Sequence, residues 1–145
     1  MDNESYRQEK LFAWGAVLAG LVFCFMIWAG SDLMNFVMTW GPQGVAVAIM
    51  GLLGARAAAV GGAALAFTGY TSLFHWWVQA QPSPDALVWL LYVFTLPGGL
   101  LAGIWMARRL SVLDTRPACQ AGLMAALAVG AGIATNHVLW HLTIL

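Results

Sequence analysis

The chain reads as an all-α, polytopic transmembrane helical bundle, and three observations carry that reading. Hydrophobic residues make up 61% and charged residues 8% of the 145, whereas a soluble domain carries about a quarter charged residues. The apolar stretches hold about 20 residues each, enough at roughly 1.5 Å rise per residue to cross a hydrocarbon core of about 30 Å. The six cations, Arg7, Lys10, Arg56, Arg108, Arg109 and Arg116, stand at the ends of those stretches. Six anions balance them, so no net field exists to attract nucleic acid. A chain this short has no room for a membrane anchor plus a catalytic soluble domain. The expectation is one integral membrane domain over 1–145, in contact with lipid and not an enzyme.

Five spans follow in order. The first, 11–31, comes after a polar segment of mixed charge and exceeds a signal-peptide apolar region in length, so it is expected to be retained. Its bulky residues, among them Leu18, Leu21, Phe23, Phe25 and Met26, direct one side to lipid. The second, 33–55, is interrupted by Gly41-Pro42-Gln43-Gly44 and runs up to Arg56. The third, 57–79, is rich in Gly and Ala and stops at a polar turn containing Pro82 and Pro84. The fourth, 86–108, contains Pro97-Gly98-Gly99 and ends on arginines; the fifth, 118–142, follows a second polar connection.

With five crossings every cation lies on one side, which the positive-inside rule makes cytoplasmic. The N-terminus is then inside and the C-terminus outside an inner (plasma) membrane. A four-span alternative fuses 45–78 into one helix and places Arg56 in hydrocarbon, at about 2.5 kcal/mol or more. That count returns if the second segment is re-entrant. Trp28, Trp76, Trp77, Trp89 and Trp140 fall near the outer boundary of this frame, and Trp14 and Trp105 near the inner one. Indoles favour that headgroup level.

Spans two and three also resemble spans four and five. Pro42-Gln43-Gly44 matches Pro97-Gly98-Gly99, and Thr71 with Trp76 matches Thr135 with Trp140. These matches suggest a parallel two-helix repeat behind one leading helix, an arrangement found in transporters with sites at broken helices. The glycines have a firmer meaning: small residues let helices approach closely in lipid, and Gly99-Leu-Leu-Ala-Gly103 has the small-xxx-small spacing.

The residues able to do chemistry are few. His75 lies 19 residues after Arg56 and His137 lies 21 after Arg116, which places both at a similar outer depth. His141 follows His137 by one helical turn, and Asp32 closes the first span at that level. Together these four are candidate ligands for a transition metal, which imidazole suits; two facing histidines are candidate axial ligands of a haem. Simple polar tips at the interface are the plainer alternative. Pro42, Gln43, Pro97 and Arg56 are candidates for a substrate path, because a helical proline frees a carbonyl upstream. Arg56 otherwise caps a tight turn and meets headgroup phosphates. No carboxylate lies within a span for proton coupling, and neither a His-Glu-x-x-His nor a phosphate-loop motif occurs. Cys24 and Cys119 read as small core residues.

The leading functional expectation is therefore a non-catalytic subunit or assembly component of a larger membrane complex, paired with other subunits or with itself. The alternatives are a small transporter or channel component and a metal- or haem-binding membrane protein.

Overall fold

A computed structural model of the chain describes residues 3–27, 33–82, 88–111 and 115–144. Within them lie α1 (Asn3–Ile27), α2 (Leu33–Leu52), α3 (Ala57–Gln79), α4 (Val88–Arg109) and α5 (Ala118–Ile144). The chain is an all-α, multi-span membrane bundle. Asn3–Ile27, Ala57–Gln79, Leu91–Arg109 and Ala118–Leu142 are long and apolar enough to cross a bilayer; Phe36–Leu52 of α2 is apolar but shorter.

The first helix begins at Asn3, well before the apolar run at 11. Glu4 in its first turn complements the positive end of the helix dipole. The inward stripe continues through Glu9, Ala13, Ala16, Gly20 and Cys24, one residue per turn. Small residues on that stripe bring α1 against α3, while Leu11, Trp14, Leu18, Val22, Phe25 and Met26 face away from the bundle. Cys24 is a core residue as expected. Cys119 is not: it lies exposed at the start of α5.

Helix α3 is the centre, with ten residues buried, including Ala58, Ala59, Gly61, Gly62, Ala63 and Ala64. It packs on α1 along one side and on α5 along another, while α4 lies most extensively on α5 and α2 leans on α4. Two glycine crossings set these distances. A Cβ on Gly62 would run into the backbone carbonyl of Gly122, and one on Gly98 into that of Gly132. Gly99 meets Ile133 and Phe67, and Gly103 meets Met50, so the small-xxx-small pair of α4 serves packing within the chain.

The turn between α2 and α3 is closed by Gly54, whose φ of 74° belongs to the left-handed region that glycine enters without a Cβ clash. It lets Ala55 bridge to Ser111 and the Arg56 amide donate to Leu110 O at 2.9 Å. The α2–α3 turn and the segment after α4 therefore meet at one end of the bundle. Helix α2 ends at Leu52 and α3 begins at Ala57, so 45–78 is not the single helix of the four-span alternative. The two pairs of the suggested repeat differ in packing, since the α4–α5 seam is extensive and the α2–α3 seam slight.

Both prolines lie inside continuous helix, so the expected breaks at Pro42 and Pro97 do not occur. The carbonyls three residues upstream are instead taken up by side chains of other helices. Tyr92 of α4 donates to Thr39 O at 3.0 Å, and Asn136 of α5 donates to Phe94 O. A bent turn exposes its carbonyls, and in lipid a neighbouring helix has to satisfy them.

Candidate functional site

Three polar centres and one apolar groove hold the functional candidates. The first centre is at the end carrying the N-terminus of α1. Arg56 is 5% exposed and Glu9 4%. Arg56 Nε donates to both carboxylate oxygens at 3.1 and 2.9 Å, and Nη2 also pairs with Oε1. Nη1 donates to Arg116 O, tying the start of α5 into the same knot. The expectation that Arg56 meets headgroup phosphates is overturned, because α1 extends far enough to deliver a carboxylate. A guanidinium in a poorly hydrated place requires a planar, bidentate partner, and Glu9 supplies it. Sequence reading missed Glu9 by assigning it to a polar tail. Its position one helical turn before Ala13, Ala16 and Gly20 on the small-residue stripe was the available signal.

The second centre lies in the bundle between α2, α3 and α4. Gln43 Nε2 stands 2.5 Å from Thr71 Oγ1, 2.5 Å from Tyr92 Oη and 3.0 Å from Thr39 O. Its two hydrogens serve the two hydroxyl oxygens, which themselves donate to Phe67 O and Thr39 O, each at 3.0 Å. Beside it Tyr70 donates to Thr95 Oγ1, which donates to Tyr92 O at 2.8 Å. The rings of Tyr70 and Tyr92 stack with centroids 5.4 Å apart. Every hydroxyl proton in this cluster has an acceptor, so Gln43 pins three helices together. Of the four suspected path residues, Pro42 and Gln43 are neighbours here; Pro97 lies on α4 and Arg56 belongs to the ion pair.

The third centre is the histidines. His137 and His141 come together with Nε2 atoms 3.1 Å apart, ring centroids 4.6 Å apart and planes at 75°. The Nδ1 atoms of His75 and His137 are buried and have no hydrogen-bond partner. Among the described residues no three His, Cys, Asp or Glu side chains gather as a metal-holding group. Asp32 lies outside the described residues. His137 and His141 share α5, so the facing pair expected for a haem would have to include His75 of α3.

No family model, curated protein or solved structure matches this chain.

The groove lies between α3 and α5. Its outer part encloses about 920 Å³, lined by Ala66, Gly69, Tyr70, Phe74, Gly130 and His137 among others. Its inner part encloses about 750 Å³ and is lined by Gln8, Glu9, Phe12, Gly62, Cys119 and Gly122 among others. Leu65 and Ala126 stand between the two parts and line both. From Gly122 to His141 the groove follows 19 residues of α5, roughly 28 Å of helix. It is therefore about as long as the membrane is thick. Its floor is small: Gly122, Ala126, Gly130 and Ala134 recur at every fourth position of α5.

Proposed function

We propose that this protein is a non-catalytic assembly component of a larger membrane complex, and that one transmembrane helix of a partner subunit lies in the α3–α5 groove. The observation that carries this is the unequal use of glycines. Gly62, Gly98, Gly122 and Gly132 are consumed by crossings within the chain, whereas Gly69 and Gly130 in the groove have nothing within 4 Å of where a Cβ would stand. Close approach without side-chain bulk drives helix association in lipid, and here that surface is offered outward in the outer part of the groove. Lipid occupies the same groove when the partner is absent.

The outer part of the groove is lined mainly by apolar side chains, and in the inner part the polar lining includes Glu9 and Arg56, which pair with each other. In the five-crossing frame the ion-paired end faces the cytoplasm of an inner membrane, because Arg7, Lys10, Arg56, Arg108, Arg109 and Arg116 gather there. The transport alternative rests on the Gln43 cluster, whose mutually satisfied protons favour a structural pin over a path.

Gly69→Leu and Gly130→Leu test the assembly reading, since both add bulk only where the chain itself leaves space. In native mass spectrometry of gently solubilised membranes, wild type is expected with a second membrane protein, and each variant alone, folded and still helical. A wild-type chain that flies without a protein partner, or variants that keep theirs, would overturn the assignment.

A further inference from the structure

We propose that His137 and His141 form a two-imidazole chelate for a divalent transition-metal cation at the end of α5. The two residues are one turn apart on one helix, and their Nε2 atoms stand 3.1 Å apart. A metal held by two imidazoles at about 2.0–2.1 Å with a bond angle between a right angle and tetrahedral separates those nitrogens by roughly 2.9–3.4 Å. The apo arrangement already has that spacing; binding requires both rings to carry their proton on Nδ1, leaving both Nε2 lone pairs for the metal. Residues four apart on a helix share a face, and the backbone between them is continuous helix, which keeps the bite rigid.

Access is provided too. His141 is exposed, and both rings stand at the mouth of the groove rather than inside the bundle. The ligand set selects the ion. Neutral imidazole favours Cu²⁺, Zn²⁺ and Ni²⁺ over Mg²⁺ or Ca²⁺, which take oxygen. Two protein ligands leave the remaining positions to water or to a donor from another molecule. Such a site captures an ion reversibly; it does not lock one in as a four-ligand structural site does. Without metal the same pair shares one hydrogen bond, one Nε2–H donating to the other ring.

The test uses Cu²⁺ alone, added to the purified full chain in detergent at one equivalent. Electron paramagnetic resonance is expected to show coupling to two imidazole nitrogens. His137→Ala and His141→Ala should each weaken Cu²⁺ binding by roughly tenfold to a hundredfold, because a two-point attachment becomes a one-point one. His75→Ala should leave both the spectrum and the affinity unchanged. Circular dichroism of each variant shows that helix content is retained. Wild-type Cu²⁺ without nitrogen coupling, equal affinity in wild type and the two α5 variants, or a loss on His75→Ala would each overturn the two-residue assignment.

Discussion

At the scale of single residues, Glu9 and Arg56 dominate the energetics of the inner end. Each is buried by the other's presence, and removing one leaves an uncompensated charge that costs about 3–5 kcal/mol. Glu9→Leu or Arg56→Met should each sharply lower the thermal midpoint in detergent, while the double variant should recover most of the loss. A double variant as unstable as the singles would show that something other than the pair is responsible. Gln43 is a milder case. Gln43→Leu removes the amide from two hydroxyls that keep their own acceptors, Phe67 O and Thr39 O. Interhelical hydrogen bonds in membranes contribute about 0.6 to 2 kcal/mol, so a modest drop in resistance to denaturing detergent is expected. Complete unfolding would contradict that assignment.

Helices explain what a residue-by-residue reading leaves out. Span positions were legible because lipid demands apolar length, and the inward face of α1 was partly legible because bulky residues avoid it. The start of α1 was not, since Asn3–Lys10 is polar by composition and the partner that buries Glu9 lies 47 positions away. Proline gave the opposite error: Pro42 and Pro97 look like breaks locally, yet Tyr92 and Asn136 reach across to satisfy the opened turns. Gly132 shows how contact between elements fixes a residue. Gly132→Ala places a methyl against Gly98 O and the Ala102 side chain, and overpacking of this kind costs about 1–3 kcal/mol. Thermal unfolding followed by circular dichroism should register that loss. Gly130→Ala, two residues away in sequence but facing open space, should register almost none.

For the whole molecule, the bundle is inverted relative to a soluble domain: alanine and glycine fill much of its centre, and large apolar side chains cover its outside. That inversion follows from composition and was visible in the sequence. The His137–His141 pairing followed from helical spacing alone, whereas the α3–α5 groove did not, because neither helix announces which neighbour it will leave uncovered. Leu73 and Leu127 line that groove and face outward, while Leu18 faces outward from α1. The most direct test of the assembly reading is photo-crosslinking in native membranes from each of these three positions in turn. Leu73 and Leu127 are expected to trap the same membrane protein, and Leu18 to trap lipid only. Lipid adducts alone at all three positions would contradict the proposed docking of a partner helix.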